Sequence, residues 1–306
     1  MIANKELFLD YKALLFSTAY NMLGSVQDAE DMVQETYLKW MELQGDSVTY
    51  VKAYLVRIIV NKCINYLESS RKTREEYIGT WLPEPLLYHT SEDEHVHADS
   101  YHALSLGVML LMEKLSPLER AIFILREVFV YDYRELSEIF DKSEDNCRQI
   151  FKRAKEHIGK KDRQFTVDPK AHESILNNFI QAATRGNIND LIDLFKEEIT
   201  LFADGGGKSL SINGSKFTAL QKPLSGKDKV GKFLSSTLSK LESVPDLSFK
   251  KVEVNGLAAF VAYMGSEPLS LMGIESDEGK ISKIFVQANP DKLKQFGAKP
   301  DRYIQN

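Results

Sequence analysis

The sequence predicts a multi-domain chain in which two all-α modules precede one α+β domain. Apolar residues recur at helical spacing through residues 1–75 and again through 104–165. The intervening residues 76–103 hold two prolines, six acidic side chains and no basic one, and lack a periodic apolar face, so they read as an acidic linker. From Asp168-Pro169 onward two helical stretches give way to short alternating strands, which marks residues 168–306 as a separate α+β domain.

Taken in order, Leu7, Phe8, Tyr11, Leu14, Leu15, Ala19 and Met22 share one face of a first helix that Gly24 ends. Ser25 with Asp28 forms an N-cap pair for a second helix, whose apolar face includes Ala29, Met32, Val33 and Trp40. A third helix runs from about residue 50 to residue 68. After the linker comes a helix near 101–114. Ser116-Pro117-Leu118-Glu119 then combines an N-cap, a first-turn proline and a capping acid ahead of the next helix. The last domain opens with helices near 170–185 and 189–195. Strands follow near 199–203, 216–220, 247–254, 257–265, 270–274 and 281–288, with Asn255-Gly256 as a type I′ hairpin turn and Ser276–Gly279 as another turn. This pattern suggests a curved antiparallel sheet packed on helices.

The chain has 306 residues and a formal charge of −5. Its apolar runs are too short to span a bilayer, and its amphipathic N-terminus does not read as a signal peptide, so a cytoplasmic protein with no membrane partner is expected. Cys63 and Cys147 lack the spacing of a disulfide framework or a zinc site, and neither a metal nor a cofactor is expected. The acidic balance argues against a free-standing nucleic-acid binder. Nearly all of it sits in the linker, however, and the flanking segments are within one charge of neutrality.

Residues 133–140, a turn at 141–143 and residues 144–158 have the spacing of a helix-turn-helix, with Leu136, Ile139 and Phe140 facing Cys147, Ile150 and Phe151. The turn lacks the common glycine. Asn146, Arg148, Gln149, Lys152 and Arg153 point outward on the second helix. Amide and guanidinium groups suit base edges, and Lys and Arg suit phosphate. A solvated basic helix end would have the same composition.

Three strings resolve that choice: Tyr20–Trp40 (YNMLGSVQDAEDMVQETYLKW), Ala53–Leu67 (AYLVRIIVNKCINYL) and Leu115–Glu127 (LSPLERAIFILRE). Over residues 1–165 they resemble the extracytoplasmic-function (ECF) sigma factors of bacterial RNA polymerase. Three shorter strings, Trp81-Leu82-Pro83-Glu84-Pro85, Asp204-Gly205-Gly206-Gly207-Lys208 and Asn289-Pro290-Asp291-Lys292-Leu293, resemble the signatures of the SigJ-type subgroup, which carries a fused SnoaL-like domain. The resemblance implies sigma region 2 at 1–75, region 4 at 104–165 and a SnoaL/NTF2-like cone domain at 168–306.

It further implies that Asp28, Glu30, Asp31, Gln34 and Glu35 dock on core RNA polymerase, although Asp28 reads equally as a capping acid. Arg57, Asn61, Lys62, Asn65 and Tyr66 would capture unstacked bases of a minus-ten element, with Arg71 as a phosphate contact or a solvated helix end. The helix from residue 144 would read a minus-thirty-five element. Promoter DNA would then be bound as holoenzyme, by a protein that is monomeric when free. An unidentified small ligand in the cone cavity is left open.

SnoaL-like folds include enzymes, but residues 173–306 contain neither histidine nor cysteine, and Asp204 with Lys208 lacks a second activated group. Gly207-Lys208-Ser209 is not a phosphate loop, because Phe202 stands where the pattern requires glycine. The expected role is therefore regulatory. The linker string, the glycine loop and the C-terminal string would form one contact network that docks the last domain in cis, in place of a separate anti-sigma protein.

Overall fold

The computed structural model describes residues 2–42, 48–75, 77–87, 103–159, 168–184, 188–212, 215–218, 220–241 and 243–297. They fall into two compact units. One draws on 1–75, 89–104 and 108–165; the other draws on 76–88, 105–107 and 166–306. The acidic linker is thus not one piece: residues 77–87 pack with the C-terminal unit, and the cluster Glu92, Asp93 and Glu94 lies outside the described residues.

The first unit is helical: α1 Ile2–Leu23, α2 Val26–Glu42, α3 Val51–Glu75, α4 Leu106–Met112 from its third residue onward, α5 Pro117–Glu127, α6 Tyr133–Phe140 and α7 Glu144–Ile158. The α1 helix stops at Gly24, whose φ of 68° places it in the left-handed region that a Cβ disfavours. Its amide closes on the Tyr20 carbonyl at 2.7 Å. At the start of α2, the Ser25 hydroxyl accepts from the Asp28 amide at 3.2 Å. The helix before α5 is shorter than the apolar pattern suggests.

A full capping box opens α5: the Ser116 hydroxyl accepts from the Glu119 amide, and the Glu119 carboxylate accepts from the Ser116 amide. In the helix-turn-helix, Asp141 takes the place of the missing glycine. It adopts φ 53° and ψ 52° at the end of α6, a conformation that aspartate tolerates better than most residues. Leu136, Ile139, Cys147 and Ile150 are buried between α6 and α7.

The second unit contains α8 Pro169–Thr184, α9 Ile188–Asp193, β1 Phe195–Asp204, β2 Ser209–Ile212, β3 Ser215–Thr218, β4 Leu224–Ser225, α10 Lys227–Leu241, β5 Leu247–Val254, β6 Leu257–Met264, β7 Glu267–Asp277 and β8 Lys280–Gln287. Two 3₁₀ turns follow, Pro290–Lys292 and Lys294–Phe296. Asn255 and Gly256, at φ 52° and 73°, make the expected hairpin between β5 and β6.

The six-stranded sheet has the order β4-β1-β8-β7-β6-β5. It is mixed rather than wholly antiparallel, because β1 pairs with β8 in parallel. That pairing joins the first and last strands of the domain, and no turn signal announces it. Leu176, Phe179, Phe195, Leu201, Val230 and Ile284 belong to the core between sheet and helices. A smaller core gathers Val252, Val254, Val261, Tyr263 and Leu271 with Leu293 and Phe296 of the C-terminal turns, and Leu87 of the linker packs against it.

Candidate functional site

The buried carboxylate of Asp204 ends β1 and organises the second unit's polar centre. Its Oδ1 accepts from the Tyr77 hydroxyl at 2.5 Å and from the Gly206 amide at 2.9 Å. Its Oδ2 accepts from the Leu82 amide at 3.0 Å and from Lys292 Nζ at 2.7 Å. A carboxylate without exposure is stable only with such partners, and with Gln287 Nε2 at 3.5 Å from Oδ2 five donors converge on it. Lys292 Nζ also donates to the Leu82 carbonyl at 2.5 Å. The same ammonium lies 4.4 Å from the Trp81 ring centroid and 5.3 Å from that of Tyr77, within range of cation–π attraction.

The glycine loop is shaped for close approach. Gly206 and Gly207 have φ of 61° and 71°. A Cβ on Gly206 would stand 2.7 Å from the Asn289 side chain, and one on Gly207 would stand 3.1 Å from Ile78. Asn289 caps the first 3₁₀ turn by accepting from the Asp291 amide at 3.1 Å, and it donates to the Tyr77 hydroxyl at 3.1 Å. Gln287 donates to the Pro83 carbonyl at 3.4 Å, and Gln295 donates to that of Pro85. The linker then joins the sheet: the Leu86 amide donates to Asn255 Oδ1, and the Asn255 amide donates to the Leu86 carbonyl, both at 3.0 Å. Lys208 pairs with Asp291 at 2.9 Å on the surface.

Burial, followed by the hydrogen bond to Asp204 and its charge, pushes the Tyr77 phenol well above its ordinary range. The hydrogen bonds from Lys208 and Lys294 hold the Asp291 carboxyl below its own.

The structure thus brings residues of the Trp81–Pro85, Asp204–Lys208 and Asn289–Leu293 strings into one cluster inside the second unit. The acid–base couples differ from the sequence pairing. Asp204 partners Lys292, Lys208 partners Asp291, and no acid/base couple of Asp204 with Lys208 forms. Sequence reasoning missed Tyr77, Ile78, Asn255, Gln287 and Gln295. Asn255 had been read only as a turn residue, and Tyr77 sits in a stretch with no periodicity to single it out.

His172, one residue ahead of the histidine-free stretch, is also part of this unit. It is buried on α8, with Nε2 2.9 Å from the Ala258 carbonyl, and serves packing there. Among the described residues, no group of three or more His, Cys, Asp and Glu is placed to hold a metal. No described helix is long and apolar enough to cross a membrane.

In the first unit, Glu30, Asp31, Gln34 and Glu35 lie exposed along α2, while Asp28 is half-buried near its cap. On α3, Arg57, Asn61 and Asn65 are exposed, and Lys62 and Tyr66 are half-buried. Lys62 donates to Glu35 at 2.6 Å. The side chain of Arg71 lies outside the described residues. Trp40, 6.3 Å from the Tyr54 ring, is core. On α7, Asn146, Arg148, Gln149, Lys152 and Arg153 are all exposed. Arg148 pairs with Asp145 at 2.7 Å and with Glu144 at 3.2 Å, and it stacks 4.8 Å over Tyr133.

Comparison with known proteins agrees with this geometry. Residues 7–73 match the model of sigma-70 region 2, and residues 105–158 match that of sigma-70 region 4. The chain is 28% identical over 301 residues to the ECF RNA polymerase sigma factor SigJ of Mycobacterium tuberculosis, covering 94% of this chain and 93% of that one. It is 24% identical over 286 residues to SigI of the same organism, covering 92% of each. The crystal structure of M. tuberculosis SigJ superposes with a TM-score of 0.73 at 25% identity, over 94% of this chain and 98% of that one. The chain belongs to the ECF sigma factors, with sigma-70 regions 2 and 4 in its helical unit and a mixed-sheet α+β domain after them, a family of transcription regulators rather than enzymes.

Proposed function

We propose that this sigma factor binds core RNA polymerase through the acidic face of α2 and reads a minus-ten element with α3 and a minus-thirty-five element with α7. Its C-terminal domain regulates it in cis, in the place that a separate anti-sigma protein would take. The protein acts in the cytoplasm and is monomeric when free.

One observation carries the regulatory part. Residues 77–87, part of the tether between regions 2 and 4, are built into the C-terminal unit through Tyr77, Leu82, Pro83, Pro85 and Leu86. A domain that grips the tether controls how far the two modules can part. The whole linker of 28 residues could extend to at most about 95 Å, whereas residues 88–103 alone reach at most about 55 Å. The bond set around Asp204 is local and polar, so the grip can be released without unfolding either unit.

Run-off transcription with purified core polymerase tests the reading. Full-length protein should yield promoter-specific transcripts. Asp204→Asn, which weakens the hold on Lys292 and Tyr77, should raise them severalfold when core is limiting. No transcript from the full chain, or from a form ended near residue 168, across a promoter library would refute the sigma reading. Unchanged output from Asp204→Asn would refute the regulatory one.

A further inference from the structure

Helix α6 begins at Tyr133, and two guanidinium groups lie over that one ring: Arg126 of α5 at 4.9 Å from its centroid and Arg148 of α7 at 4.8 Å. Like charges repel, so gathering two cations on one ring needs an attraction, and the ring quadrupole supplies it. Phe151 meets the same ring at 6.3 Å and 70°, edge to face, and provides apolar packing between α6 and α7.

The ring is fixed from the α5 side. After α5 the chain turns at Val130, an exposed β-branched residue at φ 58°, a strained conformation that its surroundings must enforce. Arg126 Nη1 donates to the Tyr131 carbonyl at 2.7 Å, and the Tyr131 amide donates to the Leu125 carbonyl at 3.0 Å. Asp132 then caps α6: its carboxylate accepts from the Glu135 amide at 2.8 Å, while that of Glu135 accepts from the Asp132 amide at 2.7 Å. Arg126 therefore braces both the turn and the ring.

Arg148 is the adjustable member of the stack. It is exposed in the N-terminal half of α7, where a recognition helix meets base edges. Asp145 and Glu144 engage one nitrogen each, and of the five N–H donors in the flat fork three remain. Ion pairs restrain where the nitrogens sit, whereas stacking also restrains the tilt of the plane. A bidentate contact to guanine O6 and N7 needs that plane to match the base, and a side chain already ordered loses less freedom on binding. Resting on the minus-thirty-five reading proposed above, we infer that Tyr133 is a positioning residue whose ring sets the plane in which Arg148 reads a guanine of that element.

Holoenzyme made with the full chain, bound to a promoter library randomised across the minus-thirty-five element, tests this by sequencing of the bound fraction. Arg148→Ala should lose preference for guanine at one position about tenfold. Tyr133→Leu, which keeps apolar contact with Phe151 but removes the quadrupole, should lose about two- to fivefold at that same position and nothing elsewhere. Tyr133→Phe should match the parent. In free protein, the Arg148 Nε–H resonance, identified by its absence from Arg148→Ala, should be displaced by the ring current in the parent and in Tyr133→Phe. In Tyr133→Leu it should return to that of a solvated arginine. Parent-like selection by Tyr133→Leu, equal loss at every position, or a Tyr133→Phe protein as impaired as Tyr133→Leu would overturn the inference. An Nε–H signal that Tyr133→Leu releases, with Arg148→Ala selecting as the parent does, would uphold the hold on Arg148 and overturn the minus-thirty-five reading alone.

Discussion

Lys62 donates to Glu35 at 2.6 Å, and Arg148 bonds Asp145 and Glu144 of its own helix, so both helices expected to face DNA carry a cation engaged by a carboxylate of the same chain. Such half-exposed pairs contribute about 0–1 kcal/mol, little enough for phosphate to displace them. Glu35 is also expected to meet the polymerase, so a partner that takes Glu35 releases Lys62. Glu35→Gln should raise the affinity of free protein for a single-stranded minus-ten oligonucleotide a few-fold. It should also steepen the log–log salt slope by about 0.7, the value of one added phosphate contact on a single strand. Anisotropy titrations over a salt series read both quantities. A slope equal to the parent's would show that Lys62 is not masked. Each partner is visible in the sequence as a polar residue on a helix face, but the pairing is not, since 27 residues and a helix junction separate the two.

Among the elements, α5 was the most legible, because Ser116-Pro117-Leu118-Glu119 states its start in adjacent residues. Burial pushes the Glu119 carboxyl up, but hydrogen bonds from the Ser116 amide and hydroxyl, then His157 and Arg153, outweigh it and hold Glu119 below its ordinary range. A carboxyl whose folded pKa lies below its unfolded one stabilises above the unfolded value, and the gain disappears as pH falls through the folded value. Glu119→Ala should therefore cost about 1 kcal/mol at pH 7. Urea unfolding should show the gap from the parent narrowing below about pH 4. A gap constant with pH would remove the carboxylate from the cap.

The α10 helix was illegible by comparison. Gly231 and the serines at 235, 236 and 239 blur its periodicity, yet a Cβ at Gly231 would stand 2.8 Å from Ile192, so glycine there serves close packing of α9 and α10. The helix-turn-helix was read correctly despite its missing glycine, with Asp141 in the left-handed role. The parallel β1–β8 pair could not be read, since strand partners distant in sequence leave no local signature.

For the whole molecule, the charge of −5 is concentrated in the segment between the two modules, and the cations of α3 and α7 are partly neutralised in place. Free protein should bind duplex promoter DNA weakly at physiological salt, and core polymerase should supply most of the affinity. A mobility-shift titration showing tight binding by the free chain would contradict this. That the three short strings meet around Asp204 could be anticipated from their resemblance to a subgroup. That Tyr77, Ile78 and Leu86 of the linker join them there could not be anticipated, because no periodicity or motif singles those residues out.

Lys292 resting against Trp81 has one more consequence. The chain has two tryptophans, and they fall one to each unit: Trp40 in the packed interior of region 2 and Trp81 in the linker. With Trp40 replaced by phenylalanine, emission would arise from an indole whose face is occupied by an ammonium group. Letting go of the linker would bring water to that indole and shift its spectrum to the red, so this protein carries an intrinsic optical reporter of its own tether.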